Sequence, residues 1–309
     1  MNWSQARAQL TCGMKNILFA WLGLLFLFPA QAQTNVDIKR TEDVIYARKF
    51  GTALTFDVFQ PAKSNGVGII FMVSGGFFSS HEAINPGFYR PFLQRGYTVF
   101  AVVHGSQPKF IITEIEQDIH RAVRFIRHNA ARYGVAPNRL GLTGASAGGH
   151  LSLTMATQGS PGDAAAKDSV DRDSSEIQCA ACFFPPTDFL NYGQPGEDAV
   201  GVGILKQFKP AFGPRTDTPE ERQKLGREIS PIYFVHSNMP PILIIHGDAD
   251  HLVPIQQARS FVKRCEEVSS PIKLIVREGK DHGWPEMDKD VELLADWFDQ
   301  HLRHLQPKP

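Results

Sequence analysis

Gly144-Ala145-Ser146-Ala147-Gly148 sets a hydroxyl among small residues, after the apolar run Leu140-Gly141-Leu142-Thr143 and before a helix-like stretch from Gly149 to Ala156. A serine is a useful nucleophile when it is exposed, close to a base and beside polarised N–H groups, and a sharp strand-to-helix turn supplies all three. Gly144 and Gly148 let strand and helix approach without a Cβ clash, Ala145 and Ala147 keep the bend uncrowded, and Ser146 is expected at a positive φ. The Ala147 N–H then opens a helix, where unsatisfied donors and the macrodipole favour an oxyanion.

Two downstream loops carry the groups that such a serine needs. His246-Gly247-Asp248-Ala249-Asp250-His251-Leu252-Val253-Pro254 follows the apolar run Ile242 to Ile245 and precedes a helix, so its two acids lie at the carboxyl edge of a strand. Gly279-Lys280-Asp281-His282-Gly283 follows the next strand in the same way. His282 competes as base with His150, His236, His246 and His251. Its place after the last core strand favours it, since His150 sits in the elbow helix and His246 ends a strand.

The elements that must position these residues alternate. Val44 to Arg48 and Leu54 to Phe59 read as strands, Val67 to Val73 as a buried third, and Phe88 to Arg95 as a helix before the strand Thr98 to Val103. Ile115, Ile119, Ala122, Val123 and Ile126 fall on one helical face, with Thr113 and Glu116 expected as a capping box. After the elbow, Gly159 to Glu176 is rich in Ser, Asp, Ala and Gly and reads as a surface excursion. The strand Ile177 to Phe184, the strand Ile242 to Ile245, a helix from Pro254 to Val268, the strand Ile272 to Val276 and a helix from about Met287 to Leu305 complete the chain. The result is an α/β fold with a mostly parallel, eight-stranded sheet and helices on both faces. Residues 187–230 hold no strong strand and place Phe189, Tyr192, Phe208 and Phe212 among glycines and prolines, the pattern of a cap insertion over a site.

The chain of 309 residues is 42% apolar and carries 32 basic and 32 acidic side chains, so it suits one globular domain over residues 33–309. No net field and no basic stripe draw in nucleic acid, and the substrate is expected to be neutral. Lys15, the apolar run Ile17 to Phe28 and Pro29-Ala30-Gln31-Ala32 follow the order of a secretory signal peptide over residues 1–32, cleaved after Ala32; Met14 is a second possible start. The apolar run is well short of the roughly 20 residues that span a bilayer, so no lasting anchor is expected. Without Cys12, the remaining Cys179, Cys182 and Cys265 are too few for a disulfide framework. Three apart on a strand, Cys179 and Cys182 point to opposite faces and read as small core residues.

From about residue 40 to 305 the chain resembles an α/β-hydrolase of the secreted esterase branch, near hormone-sensitive lipase-like esterases, acetyl xylan and feruloyl esterases and the prolyl oligopeptidase catalytic domain. The resemblance rests on the elbow, the His-Gly-Asp-x-Asp-x-x-Val-Pro loop and the Gly-x-x-His loop in combination. It implies a Ser146, Asp250, His282 triad, with Asp248 shaping the loop. It also implies an oxyanion hole built from the Ala147 N–H and donors among Gly75, Gly76 and Phe77 in Val73-Ser74-Gly75-Gly76-Phe77-Phe78. Lipase-like relatives carry His-Gly-Gly-Gly there; this chain lacks the histidine and one glycine, which leaves Gly76 and Phe77 as alternative second donors.

Phe77, Phe78 and Trp284, close in sequence to the hole and base, are expected to line an acyl or aryl pocket with Phe208 and Phe212. His301 and His304 make too small a set to hold a metal, and neither metal nor cofactor is expected. The implied activity is that of a secreted serine esterase acting through an acyl-enzyme on short-chain or carbohydrate-linked esters. A prolyl oligopeptidase-type peptidase is the chemical rival, although the segment before the third strand is too short for propeller blades. A non-catalytic binding protein on the same fold should have lost triad members, and all three are present.

Overall fold

In the computed structural model, which describes residues 37–304, eight strands form one sheet. They are β1 (Ile38–Lys49), β2 (Thr52–Pro61), β3 (Gly68–Met72), β4 (Thr98–Val103), β5 (Leu140–Ala145), β6 (Cys179–Phe183), β7 (Ile242–Gly247) and β8 (Ile272–Arg277), in the order β1-β2-β4-β3-β5-β6-β7-β8. β2 runs antiparallel to both β1 and β4, and all the other pairs are parallel. The helices are α1 (Arg90–Gln94), α2 (Ile112–His128), α3 (Ala147–Gln158), α4 (Lys209–Phe212), α5 (Pro219–Ile229), α6 (Gln256–Glu267) and α7 (Met287–Leu302).

The near-continuous apolar runs of the central strands are explained by burial on both faces. Along β7, Ile242 and Ile244 join a core with α2, α3 and α6, while Leu243 and Ile245 join the opposite core with α1 and α7. Burying each such side chain contributes about 1.5–3 kcal/mol. Cys182 faces the first core and Cys179 the second, both as free thiols, as the strand period requires.

Two local expectations change. β1 runs twelve residues rather than the five of Val44 to Arg48, because pairing with β2 continues through two register shifts that conceal its alternation behind charged, exposed positions. The α2 cap is not Thr113 with Glu116: the helix starts two residues earlier, with Ile111 at the N-cap, and the Glu114 carboxylate accepts the Ile111 N–H at 3.1 Å. The Gly159 to Glu176 segment is a surface excursion as expected, and it is tied to α2, where Arg121 meets Asp168 at 2.7 Å and Asp171 at 2.8 Å. The expected leader over residues 1–32, with Cys12, lies outside the described residues.

Residues 187–230, between β6 and β7, fold as short helical turns with α4 and α5. Buried Gln257 of α6 stitches this insertion down: its Oε1 accepts the N–H groups of Thr187 (2.8 Å) and Asp188 (2.7 Å), and its Nε2 donates to Asn191 O (3.0 Å). The Tyr192 hydroxyl donates to Leu252 O at 3.1 Å, joining the insertion to the loop after β7. All the parallel strands point their carboxyl ends at the edge where this insertion and the loops after β3, β5, β7 and β8 converge.

Candidate active site

β5 turns into α3 at Ser146, whose φ of 55° and ψ of −120° lie outside the ordinary regions for a non-glycine residue. The turn needs glycine beneath it: a Cβ on Gly144 would sit 2.6 Å from the Gly148 carbonyl carbon. The Ser146 N–H donates to Phe183 O at 3.1 Å, and its carbonyl accepts the His150 N–H at 2.8 Å, so backbone bonds hold the strained residue from both sides. Ala147 occupies the first position of α3, and its N–H has no intrahelical acceptor.

His282 lies between Ser146 and Asp250, with Nε2 2.9 Å from Ser146 Oγ and Nδ1 2.8 Å from Asp250 Oδ2. A carboxylate only accepts, so the imidazole proton belongs on Nδ1 and the Nε2 lone pair faces the serine hydroxyl. Asp250 Oδ1 accepts the N–H groups of Leu252 (2.9 Å) and Val253 (2.8 Å). His246, which opens the His-Gly-Asp loop motif, has Nε2 2.8 Å from Val253 O and 3.3 Å from Asp250 Oδ2. Because a carbonyl cannot donate, Nε2 carries the His246 proton. Burial alone would raise the Asp250 carboxyl; the hydrogen bonds from His246, His282 and Val253 N–H outweigh it and hold the group well below the usual carboxylate range. Asp250 therefore stays charged.

The other acids of these loops act on backbone. Asp248 Oδ1 accepts the Gly279 N–H at 2.7 Å, tying the β7 loop to the β8 loop. Asp281 Oδ1 accepts the N–H groups of His251 (3.0 Å) and His282 (2.7 Å), bonds that lower its carboxyl. Among the competing histidines, His150 is buried with its ring edge-on to Phe77 (5.5 Å) and Phe189 (5.2 Å), and exposed His251 pairs with Asp281.

Trp284 does not line the site. The chain turns inward after Gly283, and the indole, 9% exposed, packs on Phe183 and Phe184 and donates to Asp290 at 2.8 Å. It backs Phe184, whose ring centre is 4.4 Å from that of His282. Phe78 is also outside, 53% exposed, because a tight turn sends Phe77 and Phe78 in different directions.

That turn corrects a third expectation. The Gly75 N–H donates to Phe78 O at 3.0 Å and the Phe78 N–H to Gly75 O at 2.9 Å, so Gly75 has no free donor for an oxyanion. Gly76 and Phe77 take positive φ values of 54° and 63°, and their N–H groups have no acceptor among the described residues. A Cβ on Gly76 would lie 2.4 Å from the Phe208 ring, so only glycine fits.

Ser146, His282, Gly76 and Ala147 open onto a pocket of about 310 Å³ walled by Phe77, Phe189, Tyr192, Leu205, Phe208 and Phe212. Phe208 and Phe212 thus come from the insertion to the pocket as expected, joined by the insertion's Phe189 and Tyr192, while Leu205 carried no signal in the sequence. With the Tyr192 hydroxyl engaged by Leu252 O, the walls offer apolar surface. Elsewhere, Glu42, Asp57 and His81 approach closely enough to share an ion, but the Arg40 Nε already lies 2.8 Å from Asp57 Oδ2 and supplies the positive charge.

The family model named BD-FAE matches residues 56–265. The chain is 25% identical over 240 residues to a probable carboxylic ester hydrolase, LipM, of Mycobacterium tuberculosis (strain ATCC 25618 / H37Rv), an alignment covering 75% of this chain and 53% of LipM. It spans about half the length, or less, of the relatives it matches first. A truncated carbohydrate esterase from gut microbiota superposes with a TM-score of 0.73 at 24% identity, covering 87% of this chain and 98% of the other. An acetyl ester-xyloside bifunctional hydrolase from Caldicellulosiruptor lactoaceticus gives 0.69 at 20% identity, covering 84% and 93%. At these identities the two superpositions establish a common fold.

Proposed function

Because the chain belongs to the BD-FAE family and has the α/β-hydrolase fold, we propose that it is a serine carboxylic-ester hydrolase with Ser146, His282 and Asp250 as its catalytic triad. The observation that carries this reading is the hydrogen-bonded series Ser146 Oγ, His282 and Asp250, at 2.9 and 2.8 Å, opening onto an apolar pocket beside unengaged N–H groups. Ser146 Oγ attacks the ester carbonyl as His282 Nε2 takes its proton, and the charged Asp250 stabilises the imidazolium. The Ala147 N–H, with those of Gly76 and Phe77, receives the developing oxyanion. His282 returns the proton to the leaving alcohol, then activates the water that releases the acid.

Apolar walls suit the acyl side, leaving the alcohol to face the open edge, where a sugar or polysaccharide has room. Short-chain or carbohydrate-linked esters are therefore the substrates we assign, in keeping with the names of the carbohydrate-active neighbours. Export rests on the signal-like order of residues 15–32. The test is hydrolysis of acyl esters of graded length and of acetylated xylan, alongside peptide substrates, with a fluorophosphonate mapped by mass spectrometry. Ester cleavage with the label on the Ser146 peptide is the expected result. Peptide cleavage alone, or label elsewhere, would reassign the activity.

A further inference from the structure

Building on the reading of Ser146 as nucleophile, we propose that Gln107 is the positioning residue that aims the Phe77 N–H at the oxyanion. Gln107 is buried, and its side-chain amide donates to Gly76 O while its backbone N–H donates to Phe77 O at 3.2 Å. A carbonyl only accepts, so the group facing Gly76 O is the amide nitrogen Nε2. The peptide joining Gly76 to Phe77 is planar and trans, so its C=O and N–H point in opposite directions. With Gly76 O turned toward Gln107, the Phe77 N–H is turned away from it.

Without that bond the turn has a reason to flip. Positive φ at both central residues is the type I′ arrangement, and rotating the central peptide gives type II′, in which only the first is positive. Glycine at the first position and phenylalanine at the second is a type II′ sequence, since a bulky residue is strained at positive φ. The flip relieves Phe77 and reverses its N–H. Gln107 opposes the intrinsic preference of the turn.

Its own support is extensive. Ser79 Oγ donates to Val73 O (2.5 Å) and accepts the His104 N–H (3.2 Å), while the Ser79 N–H reaches Ser106 Oγ (3.1 Å). His104 Nε2 lies 2.8 Å from Ser74 Oγ, and Asp118 accepts the Gly105 N–H at 3.2 Å. The segment from His104 to Gln107 thus grips the loop from Ser74 to Ser79 along its length. The histidine absent from the start of the Gly-Gly loop is met by one from the neighbouring strand end.

The experiment is a double-variant cycle on esterase kinetics with Gln107→Met and Phe77→Gly. Gln107→Met should lower kcat by about 100-fold, as loss of an oxyanion donor does, with KM within about threefold of the parent. Affinity for a trifluoromethyl ketone should fall in proportion to kcat/KM. In the Phe77→Gly background the same substitution should cost less than about tenfold, because glycine no longer drives the flip. Gln107→Glu, which keeps the shape and replaces the donor, should repeat the loss at pH 8. An equal effect of Gln107→Met in both backgrounds, or a loss in KM alone, would overturn the assignment. Normal kinetics of Gln107→Glu would also overturn it. Ser146→Ala run in parallel separates the two readings: if that variant stays active the nucleophile is wrong, and if it is inactive while the Gln107 variants match the parent, only the clamp is wrong.

Discussion

The two sides of the site are built by different means. On the side of β5, β7 and β8 the groups proposed to react are side chains, and each side-chain polar atom of Asp250 and His282 has a named partner within 3.1 Å. On the side of β3 and the insertion, the polar groups are backbone N–H donors of a four-residue turn, and the side chains there wall a cavity. Proton transfer demands particular side chains. Charge stabilisation by amides demands only a backbone path, which many sequences can follow.

Ser146→Ala should test the first side hardest, lowering turnover by more than about 10⁴-fold in a protein that remains folded, measured by single-turnover ester hydrolysis and circular dichroism. Asp250→Asn should follow, at about 10³–10⁴-fold, since the amide favours the wrong imidazole tautomer. Asp248→Asn, which loses one bond to backbone, should cost about 1 kcal/mol of stability and little turnover, read from urea titration beside the same assay. The reverse ranking would move the acid.

The pocket side should respond in selectivity. Phe208→Ala should shift kcat/KM for long or aryl esters relative to acetyl esters by about 1–3 kcal/mol, with the acetyl rate changed less. Phe212 is a poorer probe, because it is fully buried and its truncation costs about 3–5 kcal/mol of stability. Equal rates across the ester panel for Phe208→Ala, at unchanged stability, would remove this ring from the substrate.

A separate effect, on stability rather than turnover, concerns acid. Burial holds His104 down to about 4, and His120 likewise. As pH falls from about 6.5, the unfolded chain takes these protons first, so stability is lost down to about pH 4, by up to about 1.4 kcal/mol per unit for each histidine. In urea titrations at pH 7 and pH 5, His104→Gln should show a shallower dependence than the parent. An unchanged slope would mean that His104 does not titrate between those limits.

What was legible in the sequence follows the same division. The eight strands and the Ser146, Asp250 and His282 loops carry local signals, namely alternation, glycine spacing and strand-edge position. Trp284 misled because proximity in sequence to His282 says nothing about the inward turn at Gly283 that sends the indole into the core. Gly75 misled because a glycine pair signals a turn without saying which N–H groups the turn itself consumes. Gln107 and Tyr192 meet their partners across 31 and 60 residues, and no local pattern marks contacts made by tertiary folding.

The stitching of the insertion by Gln257 and Tyr192 bears on how the pocket meets a substrate. Its walls share hydrogen bonds with α6 and with the loop that carries Asp250, so their shape is established when the chain folds. Ordering a mobile lid consumes binding energy at every turnover. Here that entropy is given up once, as the chain folds, and the acyl group of the proposed substrate would meet an aperture already cut to size. Discrimination among esters then resembles a sieve more than a hand closing, and lengthening the acyl chain past the aperture should abolish hydrolysis abruptly rather than weaken it by degrees.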